Sequence, residues 1–243
     1  VAEKSAKNVS NANKGPNPAK PKKKSSKDNG TRNLVIGMIL LVVLVGAGAA
    51  LAKNRTDTHA VLPSSVSVAD GYGVTFNPKA PVKLDIYEDY QCPHCRDFET
   101  VNGKYISSLA RAGKMHVVFH PITLLGPESA LTAAAAACAS DQGKFLDYHA
   151  ALFQNQPASE NSGAWTNDKL VLIGHSIGIT SAKFDTCVKS GQYTQWAMNV
   201  ESDASAKNIN STPTVLLNGT VVPPQAELNL AALKNLFRAA GVK

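Results

Sequence analysis

The 243-residue sequence predicts an α/β domain, a small sheet with an inserted helical domain, preceded by one transmembrane helix. Three observations predict it. Nineteen consecutive residues, 34–52, carry no charge. Beyond them, strand-like alternation recurs within 66–90, 115–120 and 214–222, separated by stretches of helical spacing. The region 127–207 shows helical spacing throughout and no strand signal, which places a helical block inside the sheet's connectivity.

Residues 1–33 are rich in Lys, Asn, Ser and Pro with almost nothing apolar to bury, so a disordered basic cytoplasmic tail is expected. This tail holds nine Lys/Arg against Glu3 and Asp28, and so carries the whole net charge of +7; the remainder has 16 basic and 16 acidic residues. A partner nucleic acid is disfavoured, because the folded part has no cationic surplus to neutralise phosphates. As a helix, residues 34–52 would span about 28 Å, close to a bilayer's hydrocarbon core. The preceding basic residues orient the N-terminus to the cytoplasm and the rest of the chain outward, in the cell membrane with a single pass. Ala50-Leu51-Ala52 also has the small-x-small form of a signal-peptidase site, so a cleaved leader is the competing reading. All four Cys follow this segment and would face a compartment where disulfides persist.

Residues 53–80 read as a linker with short strands at 66–68 and 74–76 around Gly71 and Gly73. The main domain is expected over 81–243, with the insertion at about 125–208. Residues 82–90 form a strand with Val82, Leu84 and Ile86 on one face. A helix over 93–112 has an apolar stripe of Phe98, Val101, Tyr105 and Leu109 and stops at Gly113; a strand follows at 115–120. The helical block divides into 129–140, 143–154, 168–176, 181–190 and 193–207, with Thr166 and Thr180 as N-caps, breaks at Gly178 and Gly191, and a polar loop over 156–164. A strand at 214–218, an Asn218-Gly219 hairpin and a return strand lead to one closing helix, 226–240, on Leu228, Leu230, Leu233, Leu236 and Phe237.

The chemistry concentrates in Cys92-Pro93-His94-Cys95 at a strand-to-helix junction. Two Cys three apart at a helix start can close a small disulfide across one turn. Unpaired N–H groups and the helix dipole favour a thiolate at Cys92. Pro93 suits the first helical position because it lacks an N–H, and a protonated His94 would add positive charge. A stabilised thiolate stabilises the dithiol and makes the disulfide a stronger oxidant. Half a zinc site, a copper site and an inert structural disulfide are the alternatives; no second CxxC follows and Met is scarce, so no metal and no cofactor are expected. Cys138 and Cys187 are left to form a structural disulfide within the helical block, with two buried free thiols as the alternative. His149 is expected to pack or hydrogen-bond on its helix, and Trp165 and Trp196 to anchor the core.

The segment Asp89-Tyr90-Gln91-Cys92-Pro93-His94-Cys95-Arg96-Asp97-Phe98 resembles the active site of DsbA-like thiol:disulfide oxidoreductases, which have a thioredoxin fold with an inserted α-helical domain. Thr212-Pro213-Thr214 before a strand is similar to that family's cis-proline loop. The resemblance covers about 82–241, and the anchored arrangement is closest to actinobacterial members. It implies that Cys92 attacks, that Cys95 resolves, and that Thr212 with a cis Pro213 receives an extended substrate. It also implies reduced, unfolded exported proteins as substrates, and a DsbB-like or vitamin-K-epoxide-reductase-like (VKOR-like) membrane protein as reoxidase. Two departures stand out. Ile86 occupies the position where many thioredoxin-fold enzymes hold a buried acid, and Glu88 and Asp89 nearby read as solvated turn carboxylates. Thr212, more frequent in isomerase relatives, keeps an isomerase or reductase as the rival activity. A non-catalytic anchored binding module with a structural CxxC is the rival of another class.

Overall fold

The computed structural model describes residues 59–243. The expected tail and membrane span lie outside the described residues, and among those described no helix is long and apolar enough to cross a membrane. In chain order the elements are β1 (Val66–Ser67), β2 (Gly73–Phe76), β3 (Lys83–Glu88), α1 (Pro93–Arg111), β4 (His116–Pro121), α2 (Pro127–Asp141), α3 (Phe145–Gln154), α4 (Asn167–Ser176), α5 (Ala182–Ser190), α6 (Thr194–Ala206), β5 (Thr214–Leu217), β6 (Thr220–Val221), α7 (Pro224–Glu227) and α8 (Leu230–Ala239).

The strands form one sheet in the order β1-β2-β4-β3-β5-β6. β3 and β4 run parallel, which requires a crossover, and α1 supplies it. The other pairings are antiparallel. β3 sits at the centre, with Ile86 opposite Phe119 on one side and Val215 on the other. Leu84 and Ile86 are fully buried, as their alternation predicts. The helices α2–α6 all fall between β4 and β5. The all-but-buried α2 runs through this block with a row of alanines, Ala133–Ala137, whose small side chains let neighbouring helices approach closely.

The opposite face of β3 also points inward. Asp85 is buried and accepts from Lys83 Nζ at 3.0 Å and from His120 Nε2 at 3.0 Å. Burial opposes its ionisation, but these two partners hold the carboxyl below its ordinary range. Lys83 Nζ also reaches Asp70 at 2.9 Å, and Asp70 lies 3.3 Å from His116 Nε2. His116 and His120, which show no partner pattern in the sequence, find their carboxylates on neighbouring strands or turns.

Four details of the sequence reading are corrected. On α1 the stripe is rotated by one residue: Val101 is exposed while Asn102 is buried, its Nδ2 donating to the carbonyls of Phe98 and Glu227. Strand β3 ends at Glu88 rather than Tyr90, because Asp89 opens a turn closed by Cys92 N–H donating to Asp89 O at 2.9 Å. Ser181, not Thr180, caps α5 by accepting from Phe184 N–H. The closing helix is two helices, because Asn229 accepts from Ala231 and Ala232 N–H and starts α8 afresh, leaving Leu228 exposed between them.

Candidate active site

Cys92 is the N-cap of α1 and Pro93 follows at its first position. Cys92 retains 6 % exposure and Cys95, one turn along, none. Both are free thiols. Pro93 and His94 are exposed on the outer side of the turn. The Thr212–Pro213 peptide is cis, and Thr212 O accepts from the Cys92 thiol at 3.4 Å. The fold therefore brings residues 120 positions apart onto one sulfur.

A hydrogen bond from the Cys95 thiol holds the Cys92 sulfur well below the ordinary thiol range, at about 5, against the opposing effect of burial. The Thr212 side chain and the backbone N–H groups of Cys95 and His94 add to it. The bond to the Thr212 carbonyl belongs to the protonated thiol and gives way when the sulfur ionises. The His94 contribution thus comes from its backbone, while its imidazole faces solvent. Burial first, then donation to Cys92 and the nearby Glu88 charge, push Cys95 well above the ordinary range. One sulfur is thereby set up as an anion and its neighbour as a thiol.

Glu88 and Asp89 are not solvated turn residues: they are 3 % and 0 % exposed. The turn after the central strand is roofed by the helical block. Asp89 Oδ1 accepts from Gln91 N–H and Oδ2 from Leu125 N–H, both at 2.9 Å, and burial nevertheless raises its carboxyl to about 6. Burial, followed by the charges of Glu99 and Cys92, pushes Glu88 well above the ordinary carboxyl range.

The sequence also conceals a clamp. Gln156, just past α3, donates from Nε2 to Tyr90 O at 2.8 Å and to Cys92 O at 3.0 Å. Gln91 Nε2 donates to Ser129 Oγ at 2.8 Å, and its Oε1 accepts from Asn161 N–H at 2.7 Å. The polar loop after α3 therefore grips the cysteine turn. Replacing Gln156 with alanine removes a donor from the Tyr90 and Cys92 carbonyls and is expected to cost about 1–3 kcal/mol in denaturant unfolding. Cys138 and Cys187 are joined as a disulfide between α2 and α5.

The family profile described as thioredoxin matches residues 73–235, spanning the sheet, the cysteine turn and the helical block.

The chain belongs to the thioredoxin family.

Within that family it is similar to disulfide bond formation protein D of Bacillus subtilis, 27 % identical over 176 residues, covering 70 % of this chain and 78 % of that one. Among solved structures it is similar to MdbA, a thiol-disulfide oxidoreductase from Actinomyces oris, with TM-score 0.63 and 26 % identity over 75 % of this chain and 91 % of that one. It is also similar to reduced DsbA from Mycobacterium tuberculosis, with TM-score 0.57 and 27 % identity over 74 % and 91 %. The chain is a DsbA-like protein disulfide oxidoreductase of this thioredoxin-family branch.

Proposed function

We propose that this enzyme introduces disulfide bonds into exported proteins, with Cys92 and Cys95 as its redox pair. The observation that carries the reading is the unequal treatment of the two sulfurs, Cys92 favoured as an anion and Cys95 as a thiol. In the oxidised enzyme a substrate thiolate attacks Cys92 of the Cys92–Cys95 disulfide. The Cys92–Cys95 bond breaks, and Cys95 leaves with the bonding electron pair and takes up a proton. A mixed disulfide joins substrate to Cys92. A second substrate thiolate attacks the substrate sulfur of that bond, and Cys92 departs as a stabilised thiolate. The substrate dithiol is oxidised by two electrons and the enzyme pair is reduced by two. The better the departing anion is stabilised, the more strongly the enzyme oxidises.

Thr212 and Pro213 stand beside Cys92 where an extended substrate would lie, and their backbone would receive it as an added strand. Residues 34–52 hold the domain outside the cell membrane, close to emerging chains and to a quinone-linked reoxidase of DsbB-like or VKOR-like type. Mass spectrometry of the mature protein tests the anchor, since an N-terminus at Lys53 would show that the segment is removed.

The test of direction is redox equilibration with glutathione, coupled to oxidative refolding of reduced ribonuclease. The expected potential lies well above the roughly −270 mV of thioredoxin, with refolding accelerated by the oxidised enzyme. A potential at or below that value would assign reduction or isomerisation instead.

A further inference from the structure

Beneath the cysteine turn, β3, α1 and α3 enclose three polar side chains that the exchange steps leave unused: Glu88, Glu99 and His149, all buried. His149 Nε2 lies 3.5 Å from Glu88 Oε2 and 3.4 Å from Glu99 Oε1. Those separations exceed the ~2.7–3.2 Å of an N–H···O hydrogen bond. Among the described residues, neither Glu88 oxygen, nor Glu99 Oε1, nor His149 Nε2 has a hydrogen-bond partner. The surroundings are aromatic, with the rings of Phe119, Phe153 and Phe145 centred 4.8, 5.1 and 5.5 Å from the imidazole. Carboxylates left without donors in such a medium carry a large desolvation cost, which a cation offsets.

The geometry matches a metal site better than a hydrogen-bonded one. A tetrahedral ion bound at about 2.0–2.1 Å holds its ligand atoms about 3.4 Å apart, and all three donor atoms here lie within 4.8 Å of one another. Tyr90 Oη sits 2.9 Å from His149 Nδ1. With Nδ1–H donating to that oxygen, Nε2 presents its lone pair to the carboxylates, the arrangement that orients metal-bound imidazoles. Gly103 makes the inward turn of Glu99 feasible, since a Cβ there would come within 2.0 Å of Glu99 Oε2. A groove of about 720 Å³ between α1 and α3, lined by Glu99, Gly103 and Phe153, gives an entry path from solvent.

We propose that Glu88, Glu99 and His149 form a binding site for one divalent first-row cation of the zinc type, with the fourth position open toward the groove. Two carboxylates and a neutral imidazole bring two negative charges, which such an ion balances. The mixed N/O donor set suits zinc better than the all-oxygen cations magnesium or calcium. Neither cysteine of the redox pair is among its ligands, although Glu88 lies close enough for its charge to act on Cys95, and the site does not depend on the direction of exchange.

The test uses the full chain in detergent, freed of metal with a chelator and oxidised so that Cys92 and Cys95 are joined and cannot act as ligands. Cobalt(II) is titrated as a spectroscopic probe, then displaced with zinc. The expected result is one equivalent bound with the visible bands of a four-coordinate ion, and a melting temperature that rises with metal concentration. Glu99→Gln and His149→Gln, each checked for folding by its metal-free melting curve, are expected to weaken binding more than tenfold. If the oxidised wild-type chain binds no cobalt or zinc, the cluster is filled by protons and the proposal fails. It fails equally if the folded variants bind as the wild type does.

Discussion

Alkylation of the reduced enzyme with iodoacetamide is expected to follow a titration centred near pH 5 at Cys92, where an ordinary thiol would titrate near 9. At neutral pH such a sulfur is about 99 % ionised against about 1 % for the ordinary thiol, so the thiolate population is raised about a hundredfold. Cys92→Ala should abolish both the reaction at that pH and thiol–disulfide exchange. The same shift has a thermodynamic reading. The folded-state value lies below the unfolded one, so the reduced chain gains stability that is complete above about pH 9 and is lost as pH falls through about 5. Melting temperatures of reduced and oxidised enzyme, compared across that window, should therefore move in favour of the reduced form as pH rises. A midpoint near 9 and parallel melting curves would remove the driving force for oxidation.

The second large effect concerns stability alone. The Cys138–Cys187 bond closes a segment with a sequence separation of 49 residues and ties α2 to α5. On the chain-entropy account that loop is worth about 4 kcal/mol. In a domain of this size the loss corresponds to a fall in melting temperature of about 8–16 °C. The double variant Cys138→Ala, Cys187→Ala is expected to show that fall by calorimetry, while the alkylation midpoint of Cys92 stays in place. The bond sits in the helical block, whereas the groups that stabilise the Cys92 anion belong to α1 and the Thr212 loop.

What could be read from the sequence follows the physics of each feature. Leu84 and Ile86 alternate and the helical block keeps its spacing, so strands and helices declare themselves locally. The CxxC turn declares itself because its chemistry is carried by four neighbouring residues. The Thr212–Pro213 loop has no local signature of its approach to Cys92, and only the family resemblance points to it. Glu88, Asp89 and Glu99 were illegible for a different reason: a carboxylate reads as surface until the partners or helices that cover it are known. Those covers come from far along the chain, as with Leu125 over Asp89 and His149 beside Glu88. Gln156 and Asn161 lie in a polar stretch that any reading assigns to a loop, and their partners are 64–70 residues away. The rotated face of α1 has a similar origin: Asn102 is drawn inward by a carbonyl of α7, 125 positions on.

The grip of Gln156 and Asn161 on the cysteine turn makes the helical insertion part of the scaffold that holds that turn. Trimming the chain back to a minimal thioredoxin would strip the peptide plane of Cys92 of an outside brace. Grafting the insertion from a relative would succeed only if it delivered an amide to the same two carbonyls.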